Sequence, residues 1–291
     1  MLLLTGGTGS LGRAYVAIGR HEGKIRVYSR DEQKQDAMRK VLPRSAQVQL
    51  ILGDVRDLTK LRRAMRGCTH VLHAAALKVI PNGAYNPDEF VKTNVLGTLN
   101  VLEAAIDEGV EKVIIVSTDK ACEPINLYGG TKMLAEHLAI EANRWSDTTK
   151  VSVVRYGNVH GSRGSFTNVL QKADPNQAIE VTNLDCTRFW ISLEAAVSFI
   201  DLAFMEMLGG EIFVPRLSAR RLGDMIPVGQ TIEVVGLRKT EKLAETLITM
   251  DEVPRTICRD GYFVIQPWPE RGDCLAETAY RSDSHEGWGS D

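Results

Sequence analysis

A glycine-rich turn near the start of the chain constrains the fold more than any other feature of the sequence. It reads TGGTGSLG over residues 5–12, follows the apolar run Leu2–Leu4 and opens an amphipathic stretch. Glycines allow a tight turn and a close backbone approach, so a pyrophosphate can lie at the N-terminus of the following helix. The turn therefore predicts a strand–turn–helix unit that binds a dinucleotide. The cofactor contacts that we expect from it are Gly6, Thr8, Gly9, Ser10, Leu11 and Gly12.

Short apolar runs alternate with amphipathic stretches through the first half of the chain. The runs predict strands at Leu2–Leu4, Ile25–Tyr28, Val48–Leu52, His70–His73, Lys112–Ser117 and Val151–Arg155. The stretches between them predict helices at Leu11–Gly19, Asp31–Leu42, Asp57–Met65, Asp88–Glu108 and Tyr128–Asn143. Asp57 is the expected cap of the third helix, and Pro87 opens the fourth. This alternation is typical of a Rossmann-type α/β fold, in which helices cover both faces of a doubly wound parallel sheet.

The alternation weakens after about residue 156, where loops rich in Gly, Ser, Pro and Arg surround a shorter predicted helix at Leu193–Met207. We expect residues 1–156 to form the cofactor-binding Rossmann domain. Residues 157–291 are expected to form mainly a smaller, discontinuous C-terminal substrate-binding cap, with some strands or helices returning to the Rossmann core. The polar stretch 281–291 is expected to be partly mobile.

Charge and cysteine content argue against several classes of partner. The net charge of -2 gives no basis for nucleic-acid or anionic-membrane binding. The apolar start ends at Thr5, too soon for a targeting segment, and no run approaches the length of a membrane span. Five widely spaced cysteines without a C-x-x-C pair argue against a zinc site and a disulfide framework. We expect a cytoplasmic protein with no metal.

The end of the second predicted strand discriminates between the two nicotinamide dinucleotides. An NAD site normally has an acidic residue there for the ribose 2′-hydroxyl. In this sequence Ser29 and Arg30 come first, Asp31 follows, and Lys34 lies one turn later. A guanidinium suits a 2′-phosphate and favours NADP, whereas NAD is the alternative if Asp31 takes the ribose. The cofactor contacts expected after the third and fourth strands are Asp54, Val55, Ala74, Ala75 and Ala76.

Two groups of polar residues predict the catalytic centre. Tyr128 and Lys132 form a Y-x-x-x-K pair on one helix face, where the ammonium would lower the pKa of the phenol. Thr118, Asp119 and Lys120 follow the fifth predicted strand, and ligand chemistry in such folds lies at the carboxyl ends of strands. We therefore expect all five side chains in the cofactor crevice, with Tyr128 and Lys132 also contacting the cofactor.

An acid and a base beside a transient ketone favour an elimination reaction. Oxidation of a sugar at C4 acidifies the hydrogen at C5, so that a base can remove it while an acid protonates the departing C6 hydroxyl. The reduced cofactor then returns hydride to C6, and the reaction is redox-neutral. Asp119 and Lys120 supply the acid and base that simple hydride transfer does not require.

At these residues the sequence resembles the inverting UDP-N-acetylglucosamine 4,6-dehydratases. They are extended short-chain dehydrogenases/reductases of bacterial polysaccharide and pseudaminic-acid biosynthesis. The resemblance covers nearly the whole chain. The segments that carry it include GDVRD (53–57), HAAALK (73–78), KTNVLGT (92–98), STDKA (117–121), NLYGGTK (126–132), VVRYGNV (153–159), GSRGS (161–165) and TRFWI (187–191). STDK followed by YGxxK is typical of this family, since glucose-type 4,6-dehydratases have Asp-Glu instead and 4-epimerases have neither.

The resemblance implies a role for each catalytic candidate. Tyr128 resembles the base at O4, supported by Lys132 and Thr118, and Asp119 and Lys120 resemble the acid–base pair for water elimination. Lys120 would exchange the C5 proton with inversion. The resemblance also implies cofactor contacts from Asn94 and Tyr156. The UDP-sugar contacts that it implies are Lys78, Asn158, Arg163, Ser165, Arg188, Arg238 and Glu241.

Departures from the family pattern fall in the substrate half. Val79 replaces a histidine after the AALK motif, and TEKLAE (240–245) has Thr240 and Ala244 where the family has glycine and histidine. Two other functions remain open: a 4-epimerase, which has no use for Asp119 and Lys120, and a non-catalytic NADP-binding regulator. A homo-oligomer is expected, with pairing through the long helices at 88–108 and 128–143.

Overall fold

Parallel strands form the centre of the molecule, which we describe from a computed structural model covering residues 1–43, 45–162, 164–171, 177–268, 271–273 and 278–284. All six predicted strands of the first half are confirmed. They are β1 (Leu2–Thr5), β2 (Ile25–Ser29), β3 (Val48–Leu52), β4 (His70–His73), β5 (Lys112–Val116) and β6 (Lys150–Val154). Neighbouring strands in the order β3-β2-β1-β4-β5-β6 pair in parallel, so the predicted doubly wound fold is confirmed.

Helices connect these strands at the predicted places. They are α1 (Ser10–Ile18), α2 (Glu32–Val41), α3 (Leu58–Met65), α4 (Ile80–Tyr85), α5 (Pro87–Phe90), α6 (Gly97–Asp107) and α7 (Leu127–Glu141). Asp57 caps α3 as predicted, since its carboxylate accepts a hydrogen bond from the Lys60 amide at 2.9 Å. The short α4 was not predicted, because a six-residue helix containing proline and glycine has no readable hydrophobic period.

The predicted single helix at Asp88–Glu108 is wrong in detail. A π-helical turn, Val91–Leu96, separates α5 from α6. Asn94 lies in this turn, and its side-chain amide bonds both the N–H (2.8 Å) and the carbonyl (2.9 Å) of Leu77. Such turns are often found at functional sites. Here the turn directs Asn94 toward the loop that follows β4.

The second half of the chain contributes both to the main sheet and to smaller sheets. Its strands are β7 (Asn158–Val159), β8 (Ile179–Val181), β9 (Thr187–Ile191), β10 (Ile212–Pro215), β11 (Ala219–Arg221), β12 (Ile232–Val234), β13 (Thr246–Ile248), β14 (Thr256–Arg259), β15 (Tyr262–Ile265) and β16 (Tyr280–Arg281). Its helices are α8 (Phe166–Gln171) and α9 (Leu193–Glu206). β10 pairs in parallel with β6 and antiparallel with β15, which pairs antiparallel with β14. The sheet order is therefore β14-β15-β10-β6-β5-β4-β1-β2-β3.

The central strands are buried on both faces, as their continuous apolar runs predict. Leu2–Leu4 of β1 and Val113–Ile115 of β5 are fully buried. Their register brings Thr5 beside His73, and His73 beside Ile115, so the carboxyl ends of β1, β4 and β5 lie at one edge of the sheet. The loops after these strands therefore border one cleft.

A buried ion network joins the two halves of the chain. Arg155, which follows β6, donates to both carboxylate oxygens of Glu136 on α7 at 3.0 and 2.6 Å. It also donates to both carboxylate oxygens of Glu252 at 2.9 Å. Because burial makes an unpaired charge costly, this network fixes the 249–252 segment against the core.

The cysteines differ from the prediction at one position. Cys68, Cys122 and Cys186 are free and buried, but Cys258 is disulfide-bonded. The cysteine spacing, which lacks a C-x-x-C pair, did not predict this bond. Asp273 lies beside β14, where its carboxylate accepts a hydrogen bond from the Cys258 amide at 2.8 Å.

No helix in the described part of the chain is long and apolar enough to cross a membrane. Within the same ranges, no cluster of three or more His, Cys, Asp or Glu side chains is arranged to hold a metal ion. The stretch 281–291 is described only to residue 284, so most of the expected mobile end lies outside the described residues.

Candidate active site

A cleft of about 1110 Å³ opens at the carboxyl ends of the parallel strands. Its volume is at the upper end of the range for small-molecule sites, which is consistent with a ligand as large as a dinucleotide. The predicted cofactor and catalytic residues that line it are Gly6, Thr8, Gly9, Ser10, Leu11, Gly12, Ser29, Arg30, Lys34, Asp54, Val55, Ala74, Ala75, Ala76, Thr118, Lys120, Tyr128, Lys132 and Tyr156. Asp119 and Asn94 are predicted residues that do not line it.

The glycine-rich turn has the shape that a dinucleotide requires. Gly6 has a φ of +67°, and a Cβ atom there would lie 2.7 Å from the amide nitrogen of Ala75. Gly9 is the N-cap of α1 and makes no side-chain cap hydrogen bond, and the first residues of that helix line the cleft. A Cβ at Gly12 would lie 2.4 Å from the Cα of Gly7, so this position also requires glycine. The residues present therefore fit a bound pyrophosphate.

Charged residues at the ends of β2 and β3 are already paired with one another. Asp31 caps α2 through the Lys34 amide at 2.9 Å, and its second carboxylate oxygen accepts a hydrogen bond from the Lys34 ammonium. Arg30 lies 3.6 Å from Asp54, and about half of its side chain is exposed. Exposed ion pairs of this kind are weak, so Arg30 can exchange Asp54 for another anion at little cost.

Asn94 lies next to the cleft and supports the loop that follows β4. Its amide bonds the backbone of Leu77 and also donates to the Thr131 hydroxyl at 3.0 Å. The polar atoms of Asn94 are hydrogen-bonded to the loop after β4 and to α7, and the prediction that Asn94 contacts the cofactor stays a prediction. Asn94 does not line the cleft but is hydrogen-bonded to the backbone of Leu77, which does.

Helix α7 begins in direct contact with the turn that follows β5. Asn126 caps it by accepting a hydrogen bond from the Gly129 amide at 2.8 Å. Gly129 packs so tightly that a Cβ atom there would lie 2.2 Å from the Lys120 carbonyl oxygen. Tyr128 immediately precedes Gly129, so this close packing places Tyr128 next to Thr118 and Lys120.

Lys132 was predicted to lower the pKa of the Tyr128 phenol, but in the structure its ammonium is bonded elsewhere. The Lys132 ammonium donates to the Val116 carbonyl at 2.6 Å, and burial lowers the pKa of Lys132 to about 8. Burial raises the pKa of Tyr128 to about 12, and Lys120 is the cation that opposes this rise. The sequence spacing placed Lys132 one turn from Tyr128 but could not show that Lys132 turns toward the end of β5.

Asp119 and Lys120 form an ion pair with an unexpected orientation. The Lys120 Nζ lies 3.0 Å from Asp119 Oδ1, which also accepts a hydrogen bond from the Thr118 hydroxyl at 2.9 Å. Asp119 is fully buried and lies behind Lys120, so the prediction that it projects into the crevice is corrected. The short 3₁₀ turn Asp119–Ala121, capped by Thr118, folds Asp119 inward.

A loop from the second half of the chain completes this ion pair. Glu245 Oε1 lies 3.3 Å from Lys120 Nζ, and Lys242 donates to the Cys122 carbonyl at 2.6 Å. Burial alone would lower the pKa of Lys120, but Asp119 and Glu245 outweigh it and raise that pKa above its ordinary value. Lys120 is therefore a charged side chain between two carboxylates.

Arg188 and Glu241, both predicted to bind substrate, pair with each other at 3.2 Å. Arg188 also donates to the carbonyls of Leu243 (3.0 Å) and Lys242 (2.9 Å). Its guanidinium therefore holds the 241–243 loop, although both residues line the cleft. Asn158 lines it too and contacts Lys120 at 3.3 Å through Oδ1.

The remaining predicted substrate residues have separate positions. Lys78, Ser165 and Arg238 line the cleft. Arg163 lies outside the described residues.

Sequence reasoning missed Glu245, Lys242 and Asn126, all of which line the cleft. Lys242 and Glu245 belong to the segment TEKLAE (240–245). The prediction treated Thr240 and Ala244 as departures from the family pattern but gave Glu245 no role. Asn126 precedes the predicted helix start by two residues, and an asparagine there is an N-cap signal.

Comparisons with known proteins agree with this architecture. A family model for polysaccharide biosynthesis proteins matches residues 2–267. An inverting UDP-N-acetylglucosamine 4,6-dehydratase from Campylobacter jejuni is 41% identical over 276 residues, covering 91% of this chain and 82% of that protein. A UDP-glucose 4-epimerase from Rickettsia rickettsii is 39% identical over 280 residues, with the same two shares.

Among solved structures, the X-ray structure of Pen from Bacillus thuringiensis has a TM-score of 0.90 and 33% identity. It covers 97% of this chain, which covers 92% of that structure's chain. The match extends over both halves, including the strands that return to the main sheet. The chain therefore belongs to the polysaccharide biosynthesis protein family, and within it to the group that contains the inverting UDP-N-acetylglucosamine 4,6-dehydratases.

Proposed function

We propose that this protein is a nucleotide-sugar 4,6-dehydratase that uses NADP and converts UDP-N-acetylglucosamine to a 4-keto-6-deoxy sugar with inversion at C5. The observation that carries the proposal is the buried Asp119–Lys120 pair beside Thr118 and Tyr128 in the cleft. Hydride transfer alone requires no such pair. The identity to the Campylobacter dehydratase supports the same reaction.

Tyr128 and Thr118 suit the first half of the reaction. When bound, NADP would accept a hydride from C4 of the sugar and return it to C6. Tyr128 faces the cleft, and its phenol must lose a proton to take one from the C4 hydroxyl. The nearby Lys120 ammonium opposes the rise that burial causes in the pKa of Tyr128. Thr118 lines the same wall and donates its hydroxyl proton to Asp119, which orients its oxygen.

Lys120 suits the elimination because it is the member of the ion pair that reaches the cleft. As an amine it takes the C5 proton, and as an ammonium it donates one. Asp119 acts behind it, since its Oδ2 has no hydrogen-bond partner among the described residues and can accept a proton. The acid–base pair inferred from the sequence thus becomes a relay with Lys120 at the substrate end.

NADP is favoured over NAD by the pairing at the end of β2. Both Asp31 oxygens are occupied by the Lys34 amide and ammonium, so this carboxylate is poorly placed to accept ribose hydroxyls. Among the described residues Arg30 is held by a weak, half-exposed pair with Asp54, and it can contact a 2′-phosphate. A UDP-linked substrate fits the cationic part of the cleft at Lys78 and Arg238.

A 4-epimerase is the rival, because an epimerase relative is nearly as similar as the dehydratase relative. The test is incubation with UDP-N-acetylglucosamine and NADP in deuterated water, followed by mass spectrometry. A dehydratase yields a product that has lost one water and gained deuterium at C5. Formation of UDP-N-acetylgalactosamine alone would refute the dehydratase proposal.

The proposal keeps two further predictions from the sequence. One is a cytoplasmic location. The other is a homo-oligomer, for which the exposed Val91, Leu96 and Leu134 on and near the long helices are candidate contacts. Sedimentation velocity tests the oligomer: a single species with the mass of one chain would refute it.

A further inference from the structure

Three oxygen atoms surround the Lys120 ammonium. They are Asp119 Oδ1 at 3.0 Å, Asn158 Oδ1 at 3.3 Å and Glu245 Oε1 at 3.3 Å. Asp119 and Asn158 accept hydrogen bonds from two of the three N–H donors of the ammonium, and Glu245 lies within ion-pair distance of it. They come from three separate parts of the sequence, which means that the tertiary fold builds the arrangement.

Glu245 is held rigidly in this arrangement. It is 3% exposed and directly precedes β13. Its amide donates to the Ser282 hydroxyl at 2.9 Å, and its carbonyl accepts from the Ser282 amide at 2.9 Å. Within the described residues its Oε2 has no hydrogen-bond partner and lies 3.8 Å from the Lys242 ammonium. The carboxylate is therefore directed at Lys120 rather than consumed elsewhere.

The charges that face Lys120 set its protonation state. Asp119 lies on its own turn, and Glu245 comes from the loop that precedes β13. Arg188 is a cation whose charge opposes theirs, and it is partly balanced by Glu241. The Tyr128 phenol faces the same space. The cluster has two carboxylates and one ammonium, so one of the carboxylates can accept a further proton.

We infer that Glu245 is a positioning residue for the dehydration step, holding Lys120 in place and controlling its charge. The inference rests on the proposed function. Glu245 acts on the relay proposed above, in which transfer of a proton from the Lys120 ammonium to the Asp119 carboxylate leaves a neutral amine and a carboxylic acid. The amine then takes the C5 proton, the new ammonium gives a proton to the departing C6 hydroxyl, and the proton on Asp119 returns to Lys120. Water leaves, and the cluster regains its starting protons.

The test compares Glu245→Gln and Glu245→Asp with the wild type. The measurement is the rate of 4-keto product formation from saturating UDP-N-acetylglucosamine as a function of pH. Glu233→Gln is the control, because Glu233 is exposed on β12 and does not line the cleft. Circular dichroism and thermal melting of every variant check that it is folded.

Removing the Glu245 charge makes Lys120 easier to deprotonate. The rate should rise with pH as Lys120 loses its proton, and the midpoint of this rise should lie about one to three pH units lower in Glu245→Gln than in the wild type. In Glu245→Asp the carboxylate lies farther from Lys120, so the midpoint should fall between those of the wild type and Glu245→Gln. Glu233→Gln should keep the wild-type midpoint.

A wild-type midpoint in folded Glu245→Gln would overturn the inference while leaving the dehydratase proposal intact. If Glu245→Gln does not fold, an unchanged midpoint in Glu245→Asp overturns it in the same way. A wild-type protein that forms no 4-keto product would instead refute the proposed function, and the inference would fall with it.

Discussion

Two adjacent glycines in α7 provide a matched test of how the active site is assembled. A Cβ atom at Gly129 would lie 2.2 Å from the Lys120 carbonyl oxygen and 3.0 Å from the Pro124 Cβ. A Cβ atom at Gly130 would meet nothing within 4 Å. Alanine at either position removes a glycine from a helix, but only Gly129→Ala creates a clash.

The expected magnitudes follow from this geometry. Replacing a helical glycine by alanine stabilises a helix by about 0.5–1 kcal/mol, and Gly130→Ala should show this gain in the free energy of unfolding. In Gly129→Ala the clash is with backbone, which cannot rotate away, so α7 and the turn at Lys120 must separate by roughly 1 Å. Overpacking of this kind costs about 1–3 kcal/mol. Because the helix gain is common to both variants, their difference isolates the clash.

The separation should also lower activity, since Tyr128 lies on α7 and Lys120 on the turn. A displacement of about 1 Å between catalytic groups can cost roughly 10²-fold in kcat. Urea denaturation measures stability, and formation of the 4-keto product measures kcat. Gly130→Ala should retain wild-type kcat. If Gly129→Ala equals Gly130→Ala in both stability and kcat, the close packing of α7 on the Lys120 turn does not position the site.

Three further predictions test the proposed roles. Lys120→Ala should still bind NADP and UDP-N-acetylglucosamine by calorimetry but lose at least about 10²-fold in 4-keto product formation, and normal turnover would remove Lys120 from the mechanism. Arg30→Ala should weaken NADP by about tenfold to a hundredfold with little change for NAD, and equal losses would refute 2′-phosphate recognition. Glu252→Gln should lose about 3–5 kcal/mol of unfolding free energy by urea titration, because Arg155 loses a buried carboxylate. Burial raises the pKa of Glu252, but Arg155 outweighs it and the pKa falls to about 2 from 4.5. The ionised Glu252 should therefore stabilise the wild-type fold fully above about pH 4.5 and progressively less as the pH falls toward 2, and Glu252→Gln should lack this pH dependence. The same dependence of unfolding free energy on acid pH in both proteins would contradict the prediction.

The sequence predicted what short-range patterns encode. Apolar runs that alternate with amphipathic stretches located β1 to β6, because buried parallel strands have continuous hydrophobic sequences. The glycine turn and the Asp57 cap were readable because each depends on a few neighbouring residues.

Features that depend on tertiary contacts were not predictable in the same way. The inward turn of Asp119 and the bond from Lys132 to Val116 depend on how α7 packs against the end of β5. Glu245 reaches Lys120 from 125 positions farther along the chain, and no local period reports such a meeting. The hydrogen bonds of Asn94 to Leu77 and Thr131 were likewise not predictable, since resemblance transfers a position and not its geometry.

The return of the chain to the main sheet has a consequence for the order in which the protein can fold during synthesis. When residue 156 has just been added, β6 is still an exposed edge strand, and Arg155 has Glu136 but not Glu252 as a partner. The strand that covers β6 is completed at Pro215, and the second carboxylate follows at residue 252. The sheet of the first half therefore stays open at β6 for about sixty further residues, several seconds at ordinary elongation rates. Exposed strand edges invite pairing with other chains, so a fragment ending near residue 156 should aggregate where the complete chain does not.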